Sequence, residues 1–334
     1  MRITLNGQAR EVPAELDIEG LVASLGLKPT GVAVAVNDEV IRRAAWPATT
    51  LRDRDRVELV RAMSGGSVDD PLTVGPRTFG SRLFLGTGKY RSTAEMVEAL
   101  DRSGTEMVTV AIRNMDLSGG DGGDILRYID TQRCQLLPNT AGAYTAEHAV
   151  KMAMLAREAL ETSWIKLEVI GDQQTLLPDL QGTLEAARRL VKEGFVVLAY
   201  TTSDLITCLR LEEAGCAAVM PLAAPIGTGQ GMVDWAGIRR VIERVKVPVV
   251  VDAGLGCATD ACRAMEAGAA AVLVNTAVAR AQNAPLMAEA MKWAVAAGRQ
   301  GFLAGRMPVL SQASPSSPTA GVPAAPIRSA GEEE

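Results

Sequence analysis

The run Trp164-Ile165-Lys166-Leu167-Glu168-Val169-Ile170-Gly171-Asp172 sets two charges into an otherwise apolar stretch. Side chains alternate faces along a strand, so Lys166 and Glu168 share one face with Ile170 while Leu167 and Val169 share the other. With the apolar pair turned to covering helices, the lysine and glutamate point to the enclosed side. Burial disfavours an ammonium, so the expectation is a lysine whose neutral, nucleophilic amine is more available at neutral pH. The competing reading is a buried Lys–Glu ion pair that only fills space. A second run, Val249-Val250-Val251-Asp252-Ala253-Gly254-Leu255-Gly256, closes an apolar strand on a carboxylate. Asp252 is a candidate proton shuttle beside Lys166, with a helix cap as the alternative.

Anion binding has its own candidates. Glycines after Asp252 let backbone N–H groups approach a phosphate, and a later strand ends on Asn275-Thr276. Pro225-Ile226-Gly227-Thr228-Gly229-Gln230-Gly231 suits close backbone contact with a phosphosugar, or a mobile lid. Gly86-Thr87-Gly88-Lys89-Tyr90 is rejected as a nucleotide phosphate loop, because Leu83 and Tyr90 stand where glycine and Ser or Thr belong. Gly119-Gly120-Asp121-Gly122-Gly123-Asp124 reads as a flexible loop over a barrel mouth. His148 falls in a helical pattern as a surface residue. The scattered cysteines Cys134, Cys208, Cys216, Cys257 and Cys262 form no C-x-x-C, which argues against a metal site and a disulfide framework.

These residues need a scaffold that gathers strand ends. Eight apolar, β-branched segments recur from Arg82 onward at roughly 22 to 31 residues, the length of one βα unit. They are Arg82 to Gly88, Glu106 to Arg113, Gln135 to Gly142, Trp164 to Asp172, Phe195 to Thr202, Ala217 to Ala223, Val247 to Gly254 and Ala270 to Val278. Helical spacing separates them, as at Thr145 to Leu160 and Thr183 to Glu193. Eight alternations favour a closed (β/α)8 TIM barrel, α/β in class, whose functional groups collect at the C-terminal ends of the strands.

Ahead of it, residues 1–66 read as a small β-grasp, ubiquitin-like unit of order strand, strand, helix, strand, strand. Asn6-Gly7 is the hairpin signal and Asp17 the helix cap. The expected division is 1–66 β-grasp, 67–76 linker, 77–308 barrel and 309–334 disordered tail.

Composition agrees with a parallel barrel: hydrophobic residues are 48% and aromatics only 4%, so Val, Leu, Ile, Ala and Met must fill the core. A net charge of −5 offers nucleic acid no basic field. The chain has no signal core and no run of about 18 apolar residues, so no membrane contact and a cytoplasmic location are expected.

From about Leu72 to Pro308 the chain resembles bacterial thiazole synthase. The matching segments are Pro138-Asn139-Thr140-Ala141-Gly142, Lys166-Leu167-Glu168-Val169, Ala224-Pro225-Ile226-Gly227-Thr228-Gly229-Gln230-Gly231, Val251-Asp252-Ala253-Gly254 and Val274-Asn275-Thr276-Ala277. The first 66 residues resemble its ThiS-type sulfur carrier, a β-grasp unit ending in Gly65-Gly66. The resemblance implies a transferase of thiamine biosynthesis in which Lys166 forms an imine with 1-deoxy-D-xylulose 5-phosphate. Glu168 and Asp252 then assist proton transfers, and Gly227, Ala253, Gly254, Asn275 and Thr276 contact the substrate, mostly its phosphate. It further implies sulfur delivered as a thiocarboxylate on Gly66, dehydroglycine as co-substrate, an adenylating partner of the ThiF type, a homo-oligomer, and no metal or organic cofactor. Ala223 stands where the family more often has glycine. Gly66 is followed by Ser67, whereas adenylation needs a free carboxylate, so either the chain is cut there or a separate carrier serves the barrel. The rival readings are another Schiff-base phosphosugar barrel of the aldolase type, and a non-catalytic β-grasp docking protein.

Overall fold

The computed structural model describes residues 1–25, 32–61, 70–111 and 125–314. The expectations for Gly65-Gly66, for the glycine-rich stretch at 119–124 and for most of the tail fall on residues outside them.

In the N-terminal unit, β1 (Arg2–Leu5) and β2 (Gln8–Glu11) pair antiparallel across Asn6 and Gly7, whose φ values of 46° and 81° supply the left-handed turn. Helix α1 (Ile18–Ser24) starts where the Asp17 carboxylate accepts the Gly20 N–H at 2.6 Å, and it buries Ile18, Leu21 and Val22. With β3 (Val32–Val36), β4 (Glu39–Ile41) and β5 (Arg56–Arg61), the sheet runs β2-β1-β5-β3-β4, and its central pair β1 and β5 is parallel. The order expected from sequence is one strand short. It missed β4, whose Glu39 and Val40 are exposed and show no alternation, but which pairs with β3 across Asn37 and Asp38 at φ 50° and 70°. Ile3, Leu21, Val34, Trp46 and Val57 form the core of this unit.

All eight barrel segments appear as parallel strands: β8 (Leu83–Gly86), β9 (Met107–Ala111), β10 (Gln135–Asn139), β11 (Trp164–Leu167), β12 (Val196–Thr201), β13 (Ala218–Pro221), β14 (Val250–Asp252) and β15 (Ala271–Val274). The order is β13-β12-β11-β10-β9-β8-β15-β14, and parallel bridges from Val219 to Val249 and from Leu222 to Asp252 join the outer strands, closing the sheet. The strands are shorter than the apolar runs because their C-terminal residues turn into loops. The fourth run overreaches most, since β11 already ends at Leu167, and the last one runs into the helix Thr276–Ala279.

Helix α2 (Thr93–Ser103) follows β8, and outward residues such as Ile165, Leu167, Val197 and Val219 pack on helices α3 (Ala146–Leu160), α4 (Leu180–Lys192) and α5 (Leu205–Glu213). Each helix starts on a side-chain cap, from Thr145, Asp179 and Asp204. His148 lies exposed in the first turn of α3, as expected. Inward residues Phe84, Met107, Leu137, Trp164, Leu198, Met220 and Leu273 fill the lower barrel.

The expected linker, 67–76, needs correction. Its last residues belong to a hairpin, β6 (Leu72–Val74) with β7 (Arg77–Phe79), that buries Leu72, Val74 and Phe79 in the barrel floor. Phe79 stacks edge-on against Phe84 at 5.9 Å and Trp164 at 6.0 Å, so three aromatic rings meet in this plug. Val74-Gly75-Pro76-Arg77 looks like linker composition but is a hairpin turn with Gly75 at φ 51°. Residues 305–314 carry no regular structure. Among the described residues no helix is long and apolar enough to cross a membrane.

Candidate active site

At the C-terminal ends of the strands the barrel opens into a cavity of about 650 Å³. Lys166 rises from its floor, on the inward face of β11, with Leu167 and Val169 facing the helices as the period of two requires. Its Nζ lies 2.5 Å from Asp252 Oδ2 and 3.2 Å from Glu168 Oε1, and 5.6 Å from the centre of the Tyr200 ring. The three residues are 6%, 5% and 2% exposed, so this amine and both carboxylates interact through little water.

Asp252 and Glu168 are each fixed by a neighbouring hydrogen-bonding group. Asp252 ends β14, and its Oδ1 accepts the Ala253 N–H at 2.7 Å. It does not cap the following helix, Ala258–Glu266, whose cap is Cys257, so the helix-cap alternative is set aside. Glu168 sits one residue beyond the end of β11. There Thr140, at the end of β10, replaces the ladder: its hydroxyl accepts the Glu168 N–H at 2.8 Å and donates to the Glu168 carbonyl at 2.7 Å. Sequence reasoning gave Thr140 no role, because the pairing of β10 with β11 is not visible along the chain.

The electrostatics overturn one expectation. Burial does pull the Lys166 ammonium down, but the Asp252 and then the Glu168 carboxylate outweigh it, and the net shift is upward. The amine therefore rests as an ammonium rather than as a free nucleophile. Glu168 is pushed above the ordinary carboxylate range, by burial first and by the Asp252 charge, against the pull of Lys166. A carboxyl moved toward neutrality is suited to giving and taking protons.

All five expected substrate contacts, Gly227, Ala253, Gly254, Asn275 and Thr276, line the same cavity. The loops after β13 and β14 are pinned together: Gly231 N–H donates to Gly254 O at 2.9 Å, and a Cβ on Gly254 would lie 2.5 Å from Ala224 backbone atoms. This close backbone approach is why glycine stands there, and it favours a fixed cradle over the lid reading. Ala223 is buried and donates its N–H to Asp252 O at 2.8 Å. Asn275, with its NH2 turned inward, donates to the carbonyls of Gly86 (3.3 Å) and Gly88 (2.8 Å), tying the β15 loop to the β8 loop. Three lining residues other than glycine, Lys89, Leu176 and Ala253, have φ of 70°, 56° and 55°, a strain that clusters at working sites. Lys89 and Arg280 line the cavity without having been singled out by sequence. The Gly86-Thr87-Gly88-Lys89 stretch fails the nucleotide-loop pattern and shows no other local signal, and nothing along the chain sets Arg280 apart.

Fold and site together define a class: a closed α/β-barrel enzyme organised around a buried lysine flanked by carboxylates. The family follows from comparison with known proteins. A family model described as thiazole biosynthesis protein ThiG matches residues 73–318, and one described as the ThiS family matches residues 3–66. The chain belongs to the thiazole synthase family, sulfur-transferring enzymes of thiamine biosynthesis, and carries a ThiS-family sulfur-carrier domain at its N-terminal end. The thiazole synthase of Paramagnetospirillum magneticum is 45% identical over 96% of this chain and 100% of its own length. That of Myxococcus xanthus is 55% identical over 76% of this chain and 97% of its own. Among solved structures, the Amycolatopsis orientalis BexX/CysO complex superposes with a TM-score of 0.65 at 36% identity, covering 72% of this chain and 98% of that one.

Proposed function

We propose that this thiazole synthase works through a Lys166 imine with 1-deoxy-D-xylulose 5-phosphate. The observation that carries the reading is the Lys166 amine held between Asp252 and Glu168 on the cavity floor. The ammonium passes a proton to a neighbouring carboxylate, the neutral amine adds to the ketone carbon, and water leaves as the C=N bond forms. The imine acidifies the adjacent C–H, and Glu168 and Asp252 are placed to move the protons that shift the carbonyl along the sugar. Gly227, Ala253, Gly254, Asn275 and Thr276 hold the other end of the substrate.

Sulfur arrives as a thiocarboxylate on a carrier of the ThiS type, with Gly66 as the acceptor in the released domain, and dehydroglycine supplies the remaining carbon and nitrogen. The product is a thiazole phosphate carboxylate. An adenylating enzyme of the ThiF type is the partner that activates the carrier, the enzyme acts in the cytoplasm, and copies of the chain assemble as a homo-oligomer.

Borohydride reduction with deoxyxylulose phosphate, followed by peptide mass mapping, tests the reading. A reduced adduct on the Lys166 peptide is expected, and Lys166→Arg should abolish it, because a guanidinium stays protonated. Normal adduct yield in Lys166→Arg overturns the assignment. An aldolase-type barrel would form the adduct without consuming sulfur, so product analysis separates the two.

A further inference from the structure

The cavity is electrically divided. Its floor holds one ammonium and two carboxylates, while Lys89 and Arg280 border it with no ion pair to a carboxylate among the described residues. The two cations come from segments 190 residues apart that are fastened together. Arg91 donates to the carbonyls of Ala281 and, at 3.0 Å, Gln282, just past Arg280, and Asn275 bonds the carbonyls on either side of Thr87. Lys89 reaches toward the third loop as well: a Cβ placed on Gly227 would lie 3.7 Å from Lys89 Nζ and 3.9 Å from Thr276 Oγ1. An ammonium, a hydroxyl and a glycine backbone thus converge at one side of the cavity. Lys89 holds this place at φ 70°, where glycine would sit at less cost, so the side chain has a reason to be there.

We infer that Lys89 and Arg280 bind the substrate phosphate and thereby decide which end of a ketose phosphate meets Lys166. The inference rests on the imine reading for the identity of the substrate. A charge gradient orients the substrate: the floor sets two carboxyl groups against a single ammonium and offers a phosphate dianion little attraction, while the rim cations attract it. Bonds from ammonium and guanidinium groups to phosphate oxygens are among the stronger hydrogen bonds a protein makes. A phosphate drawn to the rim leaves the carbonyl end facing the lysine.

Borohydride trapping decides this when run on the full chain with deoxyxylulose phosphate and with phosphate-free deoxyxylulose. Lys89→Gln and Arg280→Gln should each raise the half-saturating concentration of the phosphorylated ketose about tenfold or more. Saturation by the phosphate-free ketose should stay at its wild-type value, so the preference for the phosphorylated sugar narrows. Equal weakening toward both sugars, or none toward either, overturns the inference and leaves the two cations as loop supports. Calorimetric titration with inorganic phosphate is the second arm. Phosphate should bind the unchanged protein and bind each variant at least about tenfold more weakly, and equal binding to all three also overturns the inference. If the unchanged protein yields no adduct with either sugar, the imine reading fails, and the calorimetric arm still decides the phosphate site.

Discussion

Lys166 is a nucleophile that must first lose a proton. Asp252 and Glu168 hold its pKa above that of free lysine, so at neutral pH only a small fraction is neutral amine, and adduct formation at sub-saturating substrate should rise with pH through the neutral range. Asp252→Asn removes the larger of the two upward influences, leaving burial to pull the lysine down, so the pH profile of adduct formation should move to lower pH. The same change should slow overall turnover about a hundredfold, the usual scale for a lost acid–base group. Stopped trapping across pH, set beside steady-state turnover, separates the two effects. An unmoved profile would mean that Asp252 does not set the lysine pKa, and wild-type turnover would remove it from the proton transfers.

At the scale of elements, the site depends on how one strand end braces another. Strand β11 stops at Leu167, yet Glu168 must stay in line with Lys166, and the buried Thr140 hydroxyl achieves this by taking both backbone groups of Glu168. Thr140→Val keeps the shape but leaves a buried N–H and C=O short of partners. It should cost about 1–3 kcal/mol in stability and lower kcat more than KM, measured by denaturant unfolding and steady-state kinetics. A variant with wild-type kcat would show that Glu168 holds its position without Thr140. The barrel strands were legible because buried parallel strands read as continuous apolar runs. The floor hairpin β6–β7 and the strand β4 were not, since each is three residues per strand and shows its burial only against partners elsewhere in the chain.

For the whole molecule, the point where the carrier joins the barrel matters most. Asp70 is clamped beneath the barrel: Arg82 donates to its carbonyl at 3.0 Å and also to Ala270 O at 2.6 Å, and Arg299 grips its carboxylate with two bonds at 2.6 and 2.8 Å. Arg82 and Ala270 immediately precede β8 and β15, so Asp70 lies at the N-terminal pole, opposite the cavity. From Gly66 to Asp70 the chain spans at most about 14 Å. The direct way is filled by Phe79, Phe84 and Trp164, and a path around the helices is on the order of 30 Å. A tethered Gly66 therefore cannot reach its own Lys166, and as part of a peptide bond it has no carboxylate to adenylate. Cleavage between Gly66 and Ser67 is the expected outcome. Intact-mass measurement on protein from its own host should show a fragment ending at Gly66, or its thiocarboxylate form. A full-length species that is fully active with sulfide and the adenylating enzyme, with neither fragment present, would rule cleavage out.

By itself the sequence determined the eight-fold alternation, the β-grasp unit and the floor of the site. Charges at period two within an apolar strand, and a carboxylate closing another, are local patterns whose meaning survives without coordinates. Only the tertiary structure decided that Lys166 rests protonated, that Thr140 braces Glu168, that Lys89 and Arg280 face one cavity, and that Asp70 sits at the far pole. Each of these depends on distances between segments remote in the chain, and electrostatic interaction follows separation in space rather than in sequence.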